Sequence, residues 1–173
     1  PMEFGRSGRV TEVVSTLMGE PKRTVVIAVD ASKEAAHALK WYLEHLHDPA
    51  DFVCLVHAYL TPVVPMSSGP MEFGVDSSSR LVVIEEMCKR AKEAGHNLLG
   101  RFASICDEHK VKYQALIRVG DPRDEIVDCA SEHSADLVIV GSRGLGMLKR
   151  VFLGSVSDYV VQHSHCPVIV VRE

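Results

Sequence analysis

Thr24-Val25-Val26-Ile27-Ala28-Val29 is an unbroken apolar run dominated by β-branched side chains, and it restricts the fold more than any other feature of the chain. A strand with one wet face alternates apolar and polar residues, whereas a strand apolar at every position has to be covered on both sides, as in a parallel sheet flanked by helices. Further strands are read at Phe52 to Ala58, Val111 to Val119, Leu137 to Val140 and Pro167 to Val171. The intervening segments carry helical signals. Ser32 caps a helix that places Ala35, Ala36, Leu39, Leu43 and Leu46 on one side and stops before Asp48-Pro49. Ile84, Met87, Cys88, Ala91, Leu98, Phe102, Ile105 and Cys106 recur at helical spacing over roughly seven turns. Gly120-Asp121-Pro122, with Asp124 and Glu125 behind it, combines a capping Asp, a first-turn Pro and first-turn acids. This alternation predicts an α/β fold: one doubly wound, five-stranded parallel sheet with right-handed crossovers and helices on both faces.

The chain has 173 residues, which suits one domain, and a net charge of -4, which leaves no basic excess to track a nucleic-acid backbone. Five cysteines (Cys54, Cys88, Cys106, Cys129 and Cys166) stand singly, without a C-x-x-C pair. That pattern argues for reduced thiols in an intracellular protein rather than for a disulfide framework or a zinc site. No run approaches the roughly 18 apolar residues that span a bilayer, so the reading is a soluble, cytoplasmic protein with neither membrane nor nucleic acid as partner. Residues 1–21 read as an N-terminal extension, loosely ordered or foreign to the domain, with a short helix over 11–18; the domain proper is 22–173. Pro1-Met2-Glu3-Phe4-Gly5 recurs as Pro70-Met71-Glu72-Phe73-Gly74, but five residues repeated once make no structural period. Residues 61–79, rich in Pro, Gly and Ser, read as a long loop.

Chemistry concentrates where the fourth strand ends. Gly141-Ser142-Arg143-Gly144 follows that strand, and nine residues later Gly154-Ser155 opens a helix running from Val156 to His163. Glycines let backbone N–H groups approach an anion with no Cβ in the way, and a helix N-terminus adds the positive end of its dipole. Taken with Val29-Asp30, His57-Ala58 and Val119-Gly120-Asp121-Pro122, the G-x2-G-x9-G-S pattern resembles the universal stress protein family, in its ATP-binding form.

The resemblance implies a Rossmann-like sheet of order 3-2-1-4-5 and a ligand at the carboxyl ends of strands one and four, which agrees with the general rule for open α/β sheets. It further implies that Gly141, Ser142, Arg143 and Gly144 wrap one side of the phosphates and ribose while Gly154, Ser155 and Val156 close the other. Asp30 accepts from the ribose or adenine side, Ala28, Val29 and Ala58 offer backbone groups and apolar walls to the base, and Val140 lines the floor. A carboxylate accepts from ribose hydroxyls but repels phosphate, so Asp30 belongs away from the triphosphate. The implied ligand is ATP, with AMP or ADP as alternatives and Mg²⁺ arriving as the nucleotide complex. The implied assembly is a homodimer paired through 168–171.

Plainer readings stand beside these. Asp30 also suits an N-cap, and His57 suits a strand-end histidine bonded to backbone. His45-x-His47 and His163-x-His165 suit solvated histidines better than metal ligands, since i,i+2 residues diverge on a helix; Lys149 and Arg150 read as solvated. No G-x4-G-K-[ST] lysine is present. The main expectation is therefore a nucleotide-dependent regulator in stress response, with a slow ATPase or nucleotidyl-transfer enzyme and a nucleotide-independent interaction module as alternatives.

Overall fold

The computed structural model describes residues 10–12, 21–61, 77–143 and 153–172, with backbone alone for 10–12 and 77–80. In chain order these form β1 (Val10–Glu12), β2 (Arg23–Ala28), α1 (Lys33–His45), β3 (Asp51–Tyr59), α2 (Ser77–Glu108), β4 (Lys112–Val119), α3 (Pro122–Glu132), β5 (Leu137–Gly141), α4 (Ser155–His163) and β6 (Val168–Val171). Strands β2 to β6 are parallel and lie in the order β4-β3-β2-β5-β6. Counted from β2 this is 3-2-1-4-5, the order implied by the family resemblance for the doubly wound sheet that the alternation of strands and helices predicts.

Two stretches are assigned differently from the sequence reading. Thr11 and Glu12 lie in β1, paired antiparallel with Leu116 and Ala115 of β4, and not in a helix; the remainder of the helix expected over 11–18 lies outside the described residues. The outer edge of β4 presents unpaired backbone groups, and that attraction leaves no trace in local periodicity. Helix α2 begins at Ser77, so 77–79 belong to the helix and not to the loop; serine is at home near a helix start. The rest of that loop, 62–76, lies outside the described residues.

Period-two alternation divides the strands between two cores. Val25, Ile27, Val53 and Leu55 face α1 and α2, where they meet Leu39, Tyr42, Leu98 and Phe102. Val26, Cys54, Val56, Val138 and Val140 face α3 and α4, meeting Ile126, Ala130 and Val160. Burial pushes the thiols up to about 12 at Cys54 and Cys106 and to about 11 at Cys129, so these cysteines are packing residues. None of the five is in a disulfide.

The inward face of α1 is rotated from the expected one: Ala36 is exposed, while Ala38 and Tyr42 are buried with Ala35 and Leu39. Tyr42 tolerates complete burial because its hydroxyl donates to Asp51 Oδ2 at 2.9 Å, and His47 Nδ1 lies 3.2 Å from the Tyr42 hydroxyl oxygen. Asp51 is itself fully buried at the start of β3. Arg23 at the start of β2 clamps it, Nε to Oδ1 at 3.1 Å and Nη2 to Oδ2 at 2.5 Å, and the Asp48 amide donates at 3.1 Å. Burial alone would raise the Asp51 pKa, but the Arg23, Asp48 and Tyr42 hydrogen bonds outweigh it and hold the carboxyl below the ordinary range.

A depressed native pKa stabilises the fold at pH above the unfolded value, about 3.9 for Asp, and that contribution is lost as pH falls through the native value. Asp51→Ala should therefore cost about 2–4 kcal/mol at pH 7 in urea unfolding, somewhat less than a wholly buried pair because Arg23 reaches solvent. Between pH 5 and pH 2 the variant should lose stability less steeply than the parent. Gly100 is an independent check: it sits inside α2 with nothing within 4 Å of an added Cβ, so Gly100→Ala should raise stability by about 0.5–1 kcal/mol.

Candidate functional site

The connection after β2 leads outward to β3 and β4, whereas β5 and β6 lie on the other side of β2. Chain segments leaving the carboxyl ends of β2 and β5 therefore part, and a crevice opens between them. There the structure has a cavity of about 480 Å³. Its lining draws together Ala28, Val29, Asp30, Ala58, Val140, Gly141, Arg143, Gly154, Ser155 and Val156, ten of the twelve residues singled out from sequence. Gly144 lies outside the described residues, as do Lys149 and Arg150. Ser142 is the exception in kind. It is buried to 3 % exposure and does not line the cavity; its role is to hold neighbouring backbone.

On the β2 side, Asp30 Oδ1 accepts from the Ser32 amide at 2.9 Å and from the Ser32 hydroxyl. Ser32 Oγ in turn accepts from the Ala35 amide at 3.1 Å, so Ser32 is the N-cap of α1. Asp30 orients the cap from outside the helix, and Oδ2 is left for the cavity. The Val29 amide donates to Val56 O at 2.9 Å, and the Val29 carbonyl lies 3.0 Å from His57 Nδ1. A carbonyl can only accept, so His57 Nδ1 carries the hydrogen. Val29 thus reaches the cavity as apolar wall, with its amide already engaged. Gly95 of α2 explains how the helix comes so close: a Cβ there would stand 3.1 Å from His57 Cδ2.

On the β5 side, Gly141 ends the strand directly against α1, where an added Cβ would lie 2.9 Å from the Glu34 carbonyl carbon. Helix α4 then starts with Gly154 as its N-cap, and no side chain caps its first turn. The Ser155, Val156 and Ser157 amides therefore retain their hydrogen-bonding capacity at the positive end of the dipole. Arg143 Nε, buried on the cavity wall, has no hydrogen-bond partner among the described residues. Tyr159 Oη donates to Asp124 Oδ1 at 2.7 Å, fastening α4 to the start of α3. Asp121 caps α3, and its pairing with Arg123 pulls its carboxyl down to about 2.

The rest of the wall is mainly apolar, with Ala35, Val56, Pro122 and Ile126 beside Tyr59, His57 and Ser157 of α4. Apart from His57, sequence reasoning passed over these residues. Val56 had a signal, since it is two residues before Ala58 and so shares its face; Ile126 is brought in only by α3 folding back over the sheet. His45 and His163 each donate from Nδ1 to a carbonyl four residues earlier, Trp41 and Tyr159, at 2.9 Å. Among the described residues no three His, Cys, Asp or Glu side chains converge on a possible metal position, and no helix is long and apolar enough to cross a membrane.

A parallel sheet with helices on both faces and a crevice at its switch point defines the broad class of doubly wound α/β proteins. Within it, residues 22–172 match the universal stress protein family model, and the chain belongs to that family. It is 31% identical over 171 residues to the universal stress protein A-like protein of Arabidopsis thaliana, covering 90% of this chain and 93% of the relative. It is 31% identical over 152 residues to universal stress protein MJ0531 of Methanocaldococcus jannaschii, covering 87% and 82%. Among solved structures, hypothetical protein MJ0577 superposes with a TM-score of 0.70 at 26% identity, covering 87% of this chain and 96% of that one. An Arabidopsis thaliana universal stress protein family protein with AMP bound superposes at 0.61 with 25% identity, covering 87% and 92%.

The contact between β5 and α1 is testable on its own. Gly141→Val should lower stability by roughly 1–3 kcal/mol, because backbone atoms of Glu34 cannot swing aside as a side chain would; a melting temperature equal to the parent's would contradict the packing described.

Proposed function

We propose that residues 22–173 form an adenine-nucleotide-binding domain, with ATP as its principal ligand, and that the protein acts as a nucleotide-dependent regulator in the stress response. One observation carries the reading: a mostly apolar cavity ends at the uncapped N-terminus of α4, beside the unpartnered Nε of Arg143. The apolar part suits a purine, and the amides with the guanidinium suit phosphate oxygens. Asp30 Oδ2 is an acceptor for ribose hydroxyls, set away from the anion by charge repulsion. Each hydrogen bond to a charged group contributes roughly 1.5–3 kcal/mol, so a few of them sustain micromolar binding after the cost of association. A relative solved with AMP bound supports the adenylate assignment. Asp30 is the sole carboxylate on the cavity wall among the described residues, so Mg²⁺ would enter on the nucleotide, held mainly by phosphate.

The assembly proposed is a cytoplasmic homodimer. Strand β1 covers the β4 edge of the sheet, while Val168, Ile169 and Val170 on the β6 edge are only partly buried. An apolar edge of that kind is best protected by pairing with a second copy.

Denaturing the purified protein and weighing what it releases should yield an adenine nucleotide. In titration calorimetry Asp30→Ala should weaken ATP and adenosine alike by about 10-fold, as loss of a ribose contact requires; unchanged affinity would remove Asp30 from the site. Val170→Lys should halve the mass seen by light scattering, and an unchanged mass would refute pairing through β6.

A further inference from the structure

The anion end of the cavity is made of two pieces of chain that are distant in sequence, Gly141–Arg143 and the first turn of α4. Their relative placement decides whether Arg143 and the α4 amides converge on one group. One carbonyl joins them. Ser142 O accepts from the Gly154 amide at 2.7 Å, and the Ser142 amide donates to Val171 O at 2.8 Å, anchoring the joint to the end of β6. The joint is closely packed at Gly154, where a Cβ would stand 3.3 Å from Arg143 Cα and 3.4 Å from Ser142 O.

Val160 in the core and Tyr159 on Asp124 hold the body of α4, but a single backbone hydrogen bond leaves the angle between its first turn and Ser142 unset. A second donor reaching the same oxygen from another direction sets that angle, and Ser157 supplies it. Its hydroxyl, in a residue only 2 % exposed, shares its one hydrogen between Ser142 O at 3.2 Å and Gly154 O at 2.9 Å. The contact with Gly154 O is a local one, of the sort any serine in a first turn can make with the cap residue. The contact with Ser142 O is not local: it crosses between the two pieces, and no feature of helix capping calls for it.

We propose that Ser157 is the positioning residue of the anion end: its hydroxyl locks the α4 N-terminus to the Ser142 carbonyl and so sets the α4 amides against Arg143. Ser157 need not touch the anion itself. The amides and the guanidinium do so, and a placement error of about 1 Å weakens such contacts severely. This part of the inference rests on the nucleotide reading; the joint itself does not.

The test compares the parent with Ser157→Ala in two measurements. In the nucleotide-free protein, amide hydrogen exchange should show the Gly154 N–H exchanging about 5- to 10-fold faster in the variant, the effect of losing one buried hydrogen bond. In calorimetry the variant should bind ATP about 10-fold more weakly while its affinity for adenosine changes less than about 3-fold, because only the anion contacts depend on the joint. A purely structural hydroxyl would lower the melting temperature without separating ATP from adenosine. Unchanged Gly154 exchange, or equal loss for the two ligands, overturns the proposal. If the parent binds no ATP, the nucleotide reading fails, yet the exchange measurement still decides the role of Ser157. Should alanine prevent folding, Ser157→Cys, close in volume but a weak donor, carries the same comparison, and parent-like Gly154 exchange in it overturns the proposal.

Discussion

The structure depends on β2 and β5 lying side by side while the chain leaves them in different directions. Their pairing, Val25 with Leu137 through Ile27 with Ile139, brings Asp30 and Gly141 to the same crest of the sheet although more than a hundred residues separate them. Everything at the site follows from that adjacency. Because α1 starts beside Gly141 and α4 starts beyond Arg143, two helix N-termini point toward one crevice, and neither strand supplies a side chain large enough to fill it.

The two N-termini are treated differently by the sequence. Ser32 caps α1, and Asp30 holds Ser32, so that first turn is satisfied internally. Gly154 begins α4 without a capping side chain. A helix that starts on glycine instead of a capping side chain forgoes about a few tenths of a kcal/mol, and the arrangement is understandable where an external acceptor completes it. The site is thus divided: the connection from β2 into α1 contributes rigidity and the Asp30 carboxylate, and the start of α4 contributes uncapped amides.

At the opposite end of the sheet lies a cluster with an entirely structural logic. Arg23 and Asp51 begin adjacent strands, and Tyr42 reaches them from α1. With the start of β2 tied to the start of β3 and to α1 there, the carboxyl ends can leave backbone and side-chain groups uncommitted for a ligand. Stability at one end of parallel strands and binding at the other is what the fold permits, because side chains at the amino ends take no part in the crevice.

Local sequence decided the elements. Unbroken β-branched runs marked β2 and the buried strands, Asp121-Pro122 marked the start of α3, and the glycine spacing after β5 marked the turn that borders the cavity, because each of these signals expresses a backbone preference acting within a few residues. Membership of the universal stress protein family was legible for the same reason, through Gly141, Gly144, Gly154 and Ser155 at fixed distances. What local sequence could not express is who meets whom across the fold. That Tyr42 and not Ala36 turns inward depends on Asp51; that β1 is a strand depends on the open edge of β4; that Ser142 is a buried joint depends on Val171, Gly154 and Ser157 converging on its backbone. Ile126 and Pro122 enter the cavity only once α3 has folded over the sheet. These are contacts between residues far apart in the chain, and their energies exist only after the strands have paired, so the tertiary structure alone decided them.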